Sequence, residues 1–304
     1  MGIKNFKIFW KLIVETAKKW MSREPFRQGP IIAYYSIFAL PGLLVVSITI
    51  AGSIFGDDVV TGELHTQISD AIGENTADSV QALLKRSMET EGSTFASILG
   101  FATILIGATT VFAQMQRSFN NIWEVESDKQ KSGVWPFLKT RLFSFGLILS
   151  IGFLLLVFLL LSSLLSAFGA WVEQYFSEAF LFIIKILNVL VSLGIITLLF
   201  ALLLKVLPDA KVKWRTVWIG AFMTALLFVI GEFALGFYFG TADPGSGYGP
   251  AGSIVLILLW TSYSAMIVFF GAEFTKVYSD YHYGKREPAD HAKAKDSESI
   301  TPHK

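Results

Sequence analysis

Two charged side chains stand in runs that otherwise offer only carbon: Lys185 in "FLFIIKILNVL" and Glu232 in "LLFVIGEFALG". A charge buried in a bilayer costs roughly 2.5–3.5 kcal/mol on insertion scales, so such residues mark counter-ion pairs, proton relays or ion and substrate paths. Hydrolytic chemistry is a poor fit. Metal-assisted hydrolysis needs clustered ligands, and the histidines at 65, 282, 291 and 303 stand at no ligand spacing while the acids are scattered. The absence of cysteine removes thiolate nucleophiles, disulfides and cysteine metal sites. No G-x-x-x-x-G-K-[ST] run is present, so the chain carries no P-loop ATPase. A non-enzymatic protein without metal, cofactor or nucleic-acid partner is expected.

The elements that must position Lys185 and Glu232 follow from composition. Hydrophobic residues make up 53% of the 304, charged ones 16%, and mean hydropathy is +0.55. A soluble domain carries roughly 25% charged residues. The deficit, with charges segregated into short stretches, predicts an all-α polytopic membrane protein. Six runs reach spanning length: 31–55, 94–119, 137–168, 180–207, 216–239 and 251–278. Of the 25 basic residues, 22 lie in the N-terminal segment, the 117–141 and 205–215 connections and the tail. The intervening connections hold only Lys85 and Arg86. The positive-inside rule then places both termini in the cytoplasm.

Three regions flank or interrupt the spans. Residues 1–30 read as an amphipathic helix, with Phe6, Phe9, Trp10, Ile13, Ala17 and Trp20 at helical spacing among lysines. It either lies on an anionic leaflet or packs on the bundle. Residues 57–93 predict two short helices on the outer side, broken at Gly73, with Asn75 capping the second. The tail 280–304 lacks apolar periodicity and is expected to be disordered.

At 1.5 Å per residue, Lys185 falls roughly 7 Å below the outer edge of the fourth span and Glu232 about 6 Å below that of the fifth. They are expected to share the bundle interior, with Tyr35 of the first span as a third candidate; the alternative has Lys185 snorkelling to headgroups. A second polar set, Gln114, Arg117, Arg141 and Glu273, gathers at the cytoplasmic rim. It reads as a helix-locking Arg–Glu network or as a gate. Gly146, Ser150, Gly236, Gly240 and Gly271 are small-residue packing positions. Pro41 and Gly42 predict a kink in the first span beside the adjacent Tyr34 and Tyr35. The turn "GTADPGSGYGPAGS" predicts a tight reversal into the sixth span.

The stretches "AYYSIFALPGLL", "TVFAQMQRSFNNIWEV", "RLFSFGLILSIGFLLLV", "VLPDAKVKWRTVWIGA" and "YGPAGSIVLILLWTSYSAMIVFFGAEFTKVY" together resemble the YihY/BrkB family, once labelled ribonuclease BN. The resemblance covers residues 25–280. It implies a bacterial inner-membrane protein with six spans and no catalytic residues; the family has no established activity, and together with the polar groups within the spans and the Pro41-Gly42 interruption the expected function is transport, export or scrambling of lipid or another amphiphile. The alternative is a non-transporting scaffold for envelope complexes. Membrane lipids are the expected partners, with a second copy or an envelope protein left open.

Overall fold

The computed structural model describes residues 3–88, 110–127, 178–284, 289 and 292–294. Eight α-helices and a 3-10 helix, Ser246–Ala251, appear among them. Helix α1 (Ile3–Ser22) is followed by α2 (Pro25–Phe55), α3 (Asp57–Ile72) and α4 (Glu74–Met88). Helix α5 covers 110–123, then come α6 (Glu178–Val206), α7 (Trp214–Ala242) and α8 (Gly252–Tyr283). Among the described residues three helices are long and apolar enough to cross a membrane, at 189–206, Trp214–Ala242 and Gly252–Tyr283. They turn Ile186, Leu190, Trp218, Ile230, Phe233 and Phe237 outward, each at least 45% exposed. Outward-facing carbon on that scale suits hydrocarbon, not water.

Helix α8 is the hub and packs on α2, α7 and α1. Its seam with α7 is set by a short match between the two sequences: "GAFMT" at 220–224 and "GAEFT" at 271–275. Running antiparallel, Gly220 faces Thr275 and Gly271 faces Thr224. A Cβ at either glycine would overlap the opposing threonine Oγ1. Each threonine returns its hydroxyl proton to its own helix, Thr224 to the Gly220 carbonyl and Thr275 to that of Gly271, both at 2.7 Å. The polar atoms are thereby satisfied, and the helices approach as small residues allow. Gly29 of α2 and Gly231 of α7 make further close approaches, to the Ser262 carbonyl and the Tyr263 ring. Among the described residues a Cβ at Gly236 or Gly240 would meet nothing within 4 Å, whereas Gly271 is a contact as expected. Gly146 and Ser150 lie outside the described residues.

The far end carries the α3–α4 hairpin. Gly73, at φ +101°, breaks it where expected, in a region that disfavours side chains. Helix α4 begins at Glu74, so Asn75 lies inside the first turn; the Gly73 carbonyl, not the Asn75 side chain, accepts from the amides of Thr76 and Ala77. Val60, Val80 and Leu84 seat the hairpin on Ile257 of α8 and Leu40 of α2. His65 Nε2 meets Asp78 Oδ1 at 2.9 Å and ties α3 to α4.

Two expectations are corrected. The N-terminal helix ends at Ser22, and Pro25 already starts α2 in the first-turn position that tolerates a missing N–H. The tail is ordered at Ala292–Ala294, which forms strand β2 antiparallel to β1 (Val125–Ser127), so the fold is not purely helical. A polar segment needs no apolar period to pair when a neighbouring strand edge offers free N–H and C=O groups. Helix α2 continues through Pro41 and Gly42 to Phe55, so a kink at Pro41 would bend this helix without ending it.

Candidate functional site

The charged side chains buried among the described residues, Asp209, Glu273 and Lys276, all lie at one end of the bundle. That end is where α1, the close of α5 and the last turns of α8 meet, and it is the basic end of the sequence. Two linked polar groups form there.

The first is built around Asp209, in the α6–α7 connection. Its carboxylate accepts from Gln116 Nε2 at 3.1 Å and Asn120 Nδ2 at 2.8 Å. Its own N–H donates to Asn120 Oδ1 at 2.8 Å, and its carbonyl accepts from the Ala289 amide at 2.9 Å. Gln116 and Asn120 are four apart on α5 and therefore share a face. Lys205 braces the same connection by donating to the Val212 carbonyl. Hydrogen bonds to a charged group contribute about 1.5–3 kcal/mol each. Asp209→Ala is therefore expected to destabilise the protein by roughly 3 kcal/mol, read as a lower Tm in detergent micelles. Combining it with Asn120→Ala should add little, because both remove the same bonds.

The second group centres on Arg23, just past α1. Its Nη2 reaches the Ile122 carbonyl at 3.4 Å and Glu124 Oε1 at 3.3 Å, and its Nη1 reaches Asn121 Oδ1 at 3.5 Å. On its other side, Nε lies 3.5 Å from Glu273 Oε2. Lys276 Nζ closes the ring on Glu124 Oε1 at 2.7 Å. Glu124 holds a left-handed backbone, φ 56°, which turns the chain from α5 into β1 and swings its carboxylate between the two cations. Glu273 is fully buried, and neither of its oxygens has a hydrogen-bond donor. It lines a small pocket with Trp20, Arg23, Gln28 and Phe269. The site thus presents a carboxylate and a guanidinium edge to one cavity.

Of the sequence-predicted residues, Glu273 is central, but its partner is Arg23, not Arg117, which is exposed. Gln114 is half-buried, and Arg141 lies outside the described residues. Arg23 and Lys276 complete the charge network, while Gln116, Asn120 and Asp209 form the neighbouring one. The i, i+4 amide pair in "QRSFN" and the single acid in the otherwise basic "LPDAKVK" were the available signals.

Phe200 of α6 meets Phe228 of α7 edge-to-face with centroids 5.4 Å apart, so the two helices pack side by side. The Lys185 side chain lies outside what is described, and with it the expected pairing of Lys185 with Glu232. Glu232 is half-buried, on the stripe of Ala225, with no hydrogen bond or ion pair among the described residues. Tyr35 is half-buried too, whereas Tyr34 is 58% exposed and meets Phe38 edge-to-face.

Apolar helices that face outward and bury their charge at one end define a helical membrane protein. Residues 22–296 match the family model described as virulence factor BrkB, and the chain belongs to that family. It is 26% identical over 249 residues to a UPF0761 membrane protein of Pseudoalteromonas atlantica, covering 81% of this chain and 78% of that one. A UPF0761 membrane protein of Alteromonas mediterranea is 25% identical over 267 residues, 87% of this chain and 85% of the relative. One from Tolumonas auensis is 29% identical over 191 residues, and there the match spans 62% of this chain and 59% of the relative. No solved structure matches the chain.

Proposed function

We propose that this protein spans a bacterial inner membrane six times with both termini in the cytoplasm, and moves lipid or another amphiphile across the bilayer without enzymatic chemistry. The observation that carries the reading is Glu273, a fully buried carboxylate without a hydrogen-bond donor, lining a cavity beside Arg23 within an apolar helix. The cavity, about 10 Å³, is the size of a single water, so a head group bearing both charges would meet the carboxylate and the guanidinium only once the helices around it part. Buried ionisable groups of this kind are expensive in a bilayer and are characteristic of transport paths. Half-buried Glu232, toward the opposite end of α7, supplies a second polar point.

Two measurements test this reading. The chain has no native cysteine, so single cysteines report topology cleanly. Asp70→Cys should react with a membrane-impermeant maleimide added to intact spheroplasts, and Lys211→Cys only after lysis; the reverse pattern would overturn the orientation. In liposomes carrying fluorescent phospholipids, the wild-type protein should speed lipid movement over empty vesicles. Glu273→Gln and Glu232→Gln should each slow it several-fold. No acceleration for any lipid would favour the scaffold reading, which the interlocked α7–α8 seam supports.

A further inference from the structure

We infer that α1 is a seat for anionic lipid head groups, built as a helix with three faces. One face is taken up by the protein. Leu12 is buried in one cluster with Phe274 and Val277 of α8, on which Ile13 of α1 and Ile219 and Met223 of α7 also pack, and Trp20 Nε1 donates to the Met266 carbonyl at 3.1 Å. The sequence alone left open whether this helix packs on the bundle or lies on a leaflet. It packs, and it still has apolar surface to spare. Trp10, Val14 and Met21 are 60%, 37% and 54% exposed. With Ala17, also exposed, they recur at i, i+4, i+7 and i+11, which is one continuous stripe. Directly alongside runs a second stripe, Lys7, Lys11 and Lys18, all exposed.

Neither stripe has a partner among the described residues, and their order specifies the occupant. A soluble partner would meet a mixed surface, whereas a bilayer boundary presents carbon and phosphate side by side in that order. The apolar stripe is also continuous with lipid-facing surface. Ile219 and Met223, which pack on the same cluster as Leu12 and Ile13 of α1, flank Trp218 and Phe222 on α7, both nearly half exposed. The tryptophans of α1 and α7 then lie where ring belts sit, at the level of the head groups. Carbon from Trp10, Val14 and Met21 enters the acyl boundary, while the ammonium groups of Lys7, Lys11 and Lys18 stay at phosphate level. This assignment depends on membrane insertion but not on transport, so it stands even if no lipid is moved.

The test uses full-length protein in nanodiscs. Spin labels are attached at Val14→Cys or Lys18→Cys in separate variants. The Val14 label should collide more with dissolved oxygen than with a water-soluble nickel chelate, and the Lys18 label should show the reverse. Equal nickel access at both positions overturns the proposal. In mixed phosphatidylglycerol–phosphatidylcholine nanodiscs, native mass spectrometry should find phosphatidylglycerol retained on the wild type. The Lys7→Gln/Lys11→Gln/Lys18→Gln variant should retain at least about tenfold less, since each lysine near an anionic surface contributes about a fivefold gain. The corresponding triple arginine variant should retain as much as the wild type. Unchanged retention in the glutamine variant, which alters only exposed positions, overturns the head-group assignment.

Discussion

Gly271→Val is expected to prevent the protein from accumulating in the membrane, and Gly220→Val to do the same. A Cβ at Gly271 would overlap Thr224 Oγ1 and lie 2.8 Å from Thr224 Cβ. At Gly220 it would overlap Thr275 Oγ1 and lie 2.9 Å from Thr275 Cβ. The obstructing atoms belong to β-branched side chains, which have little rotamer freedom on a helix. Both hydroxyls are also committed to carbonyls one turn back. The helices must therefore separate, which strips contact from Ala221 and Ala272, both fully buried. Overpacking ordinarily costs 1–3 kcal/mol, and an obstruction this close to backbone belongs at or above the top of that range, about 3 kcal/mol or more. The check is compensation. Gly271→Ala should be strongly destabilised alone and recover most of its Tm when Thr224→Gly removes the opposing side chain. If Thr224→Gly restores nothing, the seam is not where the damage lies. Gly236→Ala, with nothing within 4 Å among the described residues, should leave Tm unchanged or slightly raised.

The second large effect should be an asymmetry between the two ends of the Arg23–Glu273 contact. Removing one partner of a buried ion pair typically costs 3–5 kcal/mol, because the remaining charge is left uncompensated. Glu273 is fully buried without a hydrogen-bond donor, so Arg23→Met should cost about that much. Arg23 is better provided for. After Glu273→Gln it keeps Glu124 and the Ile122 carbonyl, and its side chain is 22% exposed, so the loss should be about 1–2 kcal/mol. Arg23→Met combined with Glu273→Gln should then be more stable than Arg23→Met alone. Chemical denaturation in detergent, read by tryptophan fluorescence, measures all three. Equal losses for the two single variants would mean that Glu273 has a partner other than Arg23.

Much of the architecture was legible because it is written locally. Hydropathy located the helices at 178–206, 214–242 and 252–283, and a glycine that needs φ +101° located the break in the α3–α4 hairpin. The polar site was half legible. Glu273 stood out because a carboxylate in an apolar run is conspicuous. Its partner did not, because Arg23 sits 250 positions away at a helix junction where no spacing rule applies. Asp209 was hidden for a related reason: a lone acid in a basic loop reads as solvated until α5 delivers Gln116 and Asn120 to it. The small-residue rule selected Gly236 and Gly240, a matched pair four apart, over Gly220 with Thr224. Threonine serves equally well in such a seam when its hydroxyl bonds its own helix, and the pentapeptide match with 271–275 was the cue.

That match has a mechanical consequence. Sliding α7 by one turn along α8 in one direction sets Thr224 against Thr275, and in the other sets Gly220 against Gly271. The first collides and the second leaves a void, so neither neighbouring register is a resting place. One-turn ratchets are a common way for packed helices to switch, and here that stroke is blocked twice over. Helices α7 and α8 therefore travel as one strut. Any working motion has to occur where other elements meet that strut, at α6, at α2, or at the hinge around Arg23.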